Sequence, residues 1–169
     1  WPERHLGLQA SQEQEFPNIE ILSEKVENHL DLDGILDLME IPDCSDAFNT
    51  SADRKMDSVK KIAVARDEAF HFYYRANLEW LKTSGAEMVQ FSPLKDSELP
   101  QNLDGLLIGG GFPEIYAETM SENHSMRQSL KKAIVSGIPC YAECGGMMLL
   151  AESLQTREGR SYPMAGMIP

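Results

Sequence analysis

From residue 60 onward, short uninterrupted apolar runs alternate with segments of helical period, and no other feature of the 169 residues constrains the fold as much. Lys61-Ile62-Ala63-Val64-Ala65, Glu87-Met88-Val89-Gln90-Phe91, Gly105-Leu106-Leu107-Ile108 and the run opening at Ile138 read as strands. Continuous apolar strands of this kind belong to sheets covered on both faces. Between them, Tyr74, Leu78 and Leu81 mark one helical face that Gly85 can end. Met126, Leu130, Ala133 and Ile134 mark another, capped by Gly137, and Pro113 suits the first turn of a helix running through Met120. Gly159 to Pro169 reads as turn and strand. The pattern predicts an α/β fold, a mostly parallel sheet flanked by helices. In such sheets the functional site lies beyond the carboxyl ends of the strands.

The first 60 residues follow a different pattern. Residues 1–18 are polar and without a clear period, whereas Ile19, Leu22, Val26 and Leu30 fall on one helical face. Leu32, Ile35, Leu36 and Met39 repeat the pattern, with Asp31 placed to cap the second helix and Pro42 to end it. Residues 43–60, rich in small and charged side chains, read as a linker. The expected organisation is therefore a helical segment over 1–42, a linker over 43–60 and the α/β domain over 61–169.

Three features converge on the predicted carboxyl edge of the sheet. The first is Ile138-Pro139-Cys140-Tyr141-Ala142-Glu143-Cys144-Gly145-Gly146, a buried strand, a sharp turn carrying Cys144, and a helix starting at the glycines. A nucleophile on such an elbow stands clear of the sheet beside backbone N–H groups. A buried structural thiol is the competing reading, since free cysteine is often buried. The second feature is Gly109-Gly110-Gly111 after the third strand. The N–H of Gly145 and an amide from Gly110 or Gly111 would form an oxyanion hole for a carbonyl attacked by Cys144, each donor worth about 3 kcal/mol of barrier. The third is Asp67 to Tyr74, which places four aromatics in five residues. Phe70, Tyr73 and Tyr74 are candidates to wall a small-molecule pocket, although each could equally pack a helix onto the sheet. Glu143 joins them beside the cysteine. His71 has the right chemistry for a base but nothing in the sequence brings it within hydrogen-bond reach of Cys144.

Composition narrows the partners. A formal net charge of −12 with 15 basic residues argues against nucleic acid or an anionic membrane surface. No apolar run approaches a bilayer span, and Trp1-Pro2-Glu3-Arg4-His5 lacks the apolar core of a signal peptide and reads as an internal cut. Cys44, Cys140 and Cys144 are an odd, unevenly spaced set that fits a reducing, cytoplasmic compartment better than a disulfide framework. No metal site is expected, because Cys140 and Cys144 have no second ligand pair.

The residues that mark these features also resemble a known family. Lys61-Ile62-Ala63-Val64-Ala65-Arg66-Asp67-Glu68-Ala69-Phe70, then Phe72-Tyr73-Tyr74 and Asn77-Leu78, resemble the start of the glutaminase domain of the cobyrinic acid a,c-diamide synthases. Gly109-Gly110-Gly111-Phe112-Pro113-Glu114 and Tyr141-Ala142-Glu143-Cys144-Gly145-Gly146 are similar to its next two motifs, and Glu3-Arg4-His5-Leu6-Gly7-Leu8 looks like the close of the family's ATP-dependent synthetase domain. The resemblance implies a class I, triad-type glutamine amidotransferase domain with a flavodoxin-like three-layer fold. Cys144 would attack the side-chain amide of glutamine, and Gly145 with the glycine run would hold the oxyanion. The released ammonia would amidate carboxylates a and c of cobyrinate, with ATP and Mg2+ bound in a synthetase domain outside this chain and no cofactor in the chain itself. The pattern departs from the family's at His71 and Arg75-Ala76. The family's triad histidine lies well downstream of its cysteine, whereas the 25 residues after Cys144 include no histidine. The expectation is thus a fragment of a corrinoid amidase, exposing apolar surface that calls for a partner or self-association. The alternatives are the same domain serving hydrogenobyrinate or Ni-sirohydrochlorin, and a non-catalytic glutaminase-like binding module.

Overall fold

The computed structural model describes residues 19–39 and 58–169. The chain divides into two units, residues 1–51 and 52–169. In the first, α1 (Ile19–His29) and α2 (Leu32–Leu38) form where the helical periods place them. The Asp31 carboxylate accepts from the Gly34 N–H at 3.0 Å, the expected cap. α2 ends at Leu38 with Met39 as its C-cap, and Pro42, expected to end it, lies outside the described residues, as does most of the expected linker.

The second unit is the α/β domain. β1 (Lys60–Ala65) leads to a short β2 (Phe70–Phe72), α3 (Arg75–Thr83), β3 (Ala86–Phe91) and β4 (Gly105–Ile108). β5 (Gly110–Gly111) follows, then a 3-10 turn over Pro113–Tyr116 that opens into α4 (Ala117–Glu122), and α5 (His124–Val135). β6 (Cys140–Ala142), α6 (Gly145–Leu150), β7 (Ser153–Gln155) and β8 (Ser161–Pro163) complete it. The main sheet has the order β3-β1-β4-β6 with all three pairings parallel. The chain lays β3 on one side of β1 and then crosses to β4 on the other, so the strand order reverses at the β1/β4 boundary. Ligands of open α/β sheets bind at such a switch point.

One sheet face is sealed. Ala63, Ala65, Leu106 and Ile108 pack with Met126 and Leu130 of α5 and Leu149 of α6 in a single buried cluster. Burying these side chains from water is the main force holding helices to strands. The other face carries α3, whose Leu78 and Leu81 border an open groove of about 730 Å3 with Ile62, Leu107 and Tyr141. Gly85 (φ 102) and Gly137 (φ 95) follow α3 and α5 in conformations that a side chain rarely adopts, as helix-ending glycines should.

Two local expectations change and one is borne out. The helix expected from Pro113 through Met120 begins as a 3-10 turn and becomes α-helical only at Ala117. The strand expected in Gly159 to Pro169 is β8, and it pairs antiparallel with β7 in a hairpin, Leu154 opposite Tyr162. The glycine run is not a free loop. Gly110 and Gly111 form β5, paired antiparallel with Phe72 and Phe70 of β2. Among the described residues, no helix is long and apolar enough to cross a membrane.

Candidate active site at the carboxyl edge of the sheet

Cys144 is the last residue before α6 and is exposed. Its backbone has φ 50 and ψ −115, a strained combination for a residue with a side chain. The reason lies in what surrounds it. β6 stays paired with β4 up to its end, because the Glu143 N–H still donates to the Ile108 carbonyl at 3.1 Å. Two residues later the backbone must already run as a helix, with the Gly146 N–H donating to the Glu143 carbonyl at 2.8 Å and to the Gly109 carbonyl at 3.0 Å. The single residue between these constraints takes up the whole change of direction.

The glycines around Cys144 are required by close approach. A β-carbon at Gly146 would lie 2.2 Å from the Ile108 carbonyl oxygen, so only glycine lets α6 start against the end of β4. At Gly145 it would lie 2.9 Å from Pro113 Cδ and 3.3 Å from the Gly111 nitrogen. At Gly111 it would meet the Ala69 carbonyl oxygen at 1.9 Å. The elbow, the glycine strand and the loop after β1 therefore touch backbone to backbone. As the first residue of α6, Gly145 has no helical carbonyl four residues back for its N–H, which frees that donor. The Gly111 nitrogen lies against it.

The loop after β1 is tied down by Asp67. Its Oδ1 accepts from the Ala69 and Phe70 N–H groups at 2.9 and 3.1 Å, and its Oδ2 from the Ser92 hydroxyl and the Leu94 N–H at 2.7 and 3.0 Å. These bonds clamp β2 to the loop that follows β3. The Phe112 N–H then donates to the Ala69 carbonyl at 3.0 Å, extending the β2–β5 contact.

Phe70 is fully buried in the core, so its packing role prevails over a place on an open pocket wall. Tyr73, Tyr74 and Glu143 border the groove beside α3. The Tyr74 ring meets Phe72 edge-on at 5.5 Å, and Glu143 accepts from the Tyr141 hydroxyl at 3.0 Å, which raises the Tyr141 phenol above its ordinary value. Tyr73 is half-buried, and that burial pushes its phenol up. His71 directs Nδ1 to the Glu68 carbonyl at 3.2 Å and its ring toward Phe112 at 5.7 Å. Cys140 points partly into the core, where burial raises its thiol. The residues that sequence reading passed over are Asp67 and Ser92. An Asp two residues before a run of amides is an ordinary turn signal, but its second set of partners comes from the loop after β3.

Known proteins share this arrangement in sequence. The CobB/CobQ-like glutamine amidotransferase domain matches residues 61–169. The cobyrinate a,c-diamide synthase of Caldanaerobacter subterraneus subsp. tengcongensis is 45% identical over 169 residues, covering 98% of this chain and 36% of that protein. That of Syntrophotalea carbinolica is 42% identical over 170 residues, covering 99% and 37%. The enzyme of that name from Listeria innocua is 46% identical over 170 residues, covering 98% and 36%. The chain spans little more than a third of the length of these curated relatives.

Proposed function

The chain belongs to the CobB/CobQ-like glutamine amidotransferase family, and from that premise we propose that it carries the glutaminase nucleophile, Cys144, of a cobyrinate a,c-diamide synthase. The thiolate adds to the side-chain amide carbon of glutamine, and the carbonyl oxygen becomes an oxyanion. The Gly145 N–H and an amide of Gly110 or Gly111 stabilise that charge as it develops. Collapse expels ammonia once the leaving nitrogen is protonated, and water hydrolyses the thioester to glutamate. The proton is carried by a histidine supplied from outside residues 1–169, as the family pattern implies. The observation that carries the reading is the exposed Cys144 on its strained elbow, with Gly110 so placed that an added β-carbon would lie 3.6 Å from the Cβ of Cys144.

In the intact parent, the ammonia amidates carboxylates a and c of cobyrinate, an acceptor supported by the names of relatives 40–46% identical. ATP and Mg2+ belong to the parent's synthetase domain in this proposal. Among the described residues, no group of three or more His, Cys, Asp or Glu is gathered to hold a metal. The glutaminase half-reaction is carried by the thiol and the backbone amides. Residues 1–42 are the tail of that synthetase domain in the same reading, and the compartment is the cytoplasm.

The test uses the intact parent enzyme, in which the histidine is present. After treatment with a diazoketone analogue of glutamine, peptide mass mapping should find one adduct, on Cys144. No adduct, or equal labelling of Cys44 and Cys140, would overturn the assignment. In the parent enzyme, Cys144→Ala should abolish glutamine-dependent amidation and leave the ammonia-dependent reaction intact.

A further inference from the structure

Tyr73 joins the ends of two neighbouring strands at the switch point. Its hydroxyl donates to the carbonyl of Ala65, the last residue of β1, and accepts from the N–H of Gly109, the residue after β4, at 2.9 Å. Its ring lies under the same glycine, since a β-carbon at Gly109 would come 2.6 Å from Tyr73 Cε1. The Arg66 guanidinium sits over the ring, 5.9 Å from its centroid. On the far side of Gly109, its carbonyl accepts from the N–H of Gly146, two residues beyond Cys144. Gly109 is thus gripped through its N–H by Tyr73 and through its carbonyl by the helix that follows Cys144.

Resting on the glutaminase reading above, we propose that Tyr73 is a positioning residue for the oxyanion hole, holding Gly109 so that the next amides in the chain face the sulfur of Cys144. The grip has a geometric consequence. The Gly109 N–H is consumed by Tyr73, which leaves Gly110 and Gly111 as the donors of that run. Three consecutive glycines have wide backbone freedom, and two-residue pairing with β2 fixes them only at Phe72 and Phe70. Gly109 enters the run outside that pairing, and Tyr73 is what fixes its N–H side. The phenol does so as a neutral group, because it must donate to one backbone atom while accepting from another.

Tyr73→Phe keeps the ring and removes only the two hydrogen bonds. Two reactions of Cys144 then separate positioning from general damage. Acylation by a γ-glutamyl p-nitrophenyl ester forms the sulfur–carbon bond and expels p-nitrophenolate through a tetrahedral oxyanion. Alkylation by iodoacetamide displaces iodide with no oxyanion. Acylation should slow by roughly tenfold to a hundredfold, the range for a displaced catalytic group, while alkylation stays within about twofold of wild type. Native-state hydrogen exchange should show lost protection at the Gly109 amide and none lost at Gly137, which bonds to Ile134 in α5. Unchanged acylation, equal slowing of both reactions, or a Gly109 amide as protected as before would each overturn the positioning role. Both reactions are run on the intact parent enzyme, and failure of the underlying reading looks different: wild-type Cys144 there would be acylated no faster than free cysteine, which sinks both proposals before the variant is made.

Discussion

A β-carbon added to Gly110 would sit 3.6 Å from the Cβ of Cys144, so the glycine strand and the cysteine elbow lie side by side at the head of the sheet, one methyl group short of van der Waals contact. Gly110 arrives there from β4 and Cys144 from β6, the strand beside it. The parallel pairing of these strands, Ile108 opposite Ala142, brings both residues out at one level. A glycine at 110 leaves the approach to the sulfur free of any side chain from that strand.

The strain at Cys144 should be measurable as stability. Glycine relieves a positive φ, whereas alanine keeps it, so Cys144→Gly is expected to be more stable than Cys144→Ala by about 1 kcal/mol, strain relief of 1–3 being partly offset by the freer unfolded chain. Urea unfolding of the two variants checks this. Equal midpoints would mean the elbow stores no strain.

Asp67 should matter to the site far more than its turn position suggests. Removing an acceptor of four hydrogen bonds leaves backbone donors unpaired in a partly buried loop. Asp67→Ala is expected to cost about 2–4 kcal/mol in chemical unfolding. Asp67→Asn retains one oxygen for Ala69 and Phe70 but turns an NH2 toward the Leu94 N–H, and should recover about half of that loss. It should also slow labelling of Cys144 by the glutamine analogue less than alanine does.

Alkaline pH provides a separate test of the Tyr73 hydroxyl. Burial holds this phenol above its ordinary value, with the bond from Gly109 and the Arg66 charge opposing. A group raised on folding adds stability that is complete below the unfolded value, near pH 10 for tyrosine, and is lost as pH rises through the folded value. Absorbance at 295 nm should therefore show a late-ionising phenol in the wild type that is missing in Tyr73→Phe. Tyr141, raised by Glu143, remains in both proteins as a late-ionising internal control. The wild type should lose its stability advantage over Tyr73→Phe above about pH 10; an advantage independent of pH would contradict the assignment.

The parallel sheet, the order of its strands along the chain and the elbow at Cys144 were all legible in the sequence. Each depends on a local signal: an apolar run, a helical period, or glycines after a cysteine. Asp31 as a cap and Gly85 and Gly137 as helix ends are of the same kind, because the groups involved lie within a few residues of one another. The pairing of Gly110–Gly111 with Phe70–Phe72 had no such signal, since strands of two or three residues are too short to show a period. Nor could spacing assign Phe70 to the core and Tyr73 to a backbone clamp, as both stand in one aromatic run. Those outcomes depend on which atoms meet when β1 and β4 come side by side, and the partners concerned are tens of residues apart: Tyr73 with Gly109, Asp67 with Ser92 and Leu94. The sequence by itself determined the main elements and the place of Cys144 between a strand and a helix. Only the tertiary structure decided which amides and hydroxyls surround it, because hydrogen-bond partners across a sheet are chosen by packing.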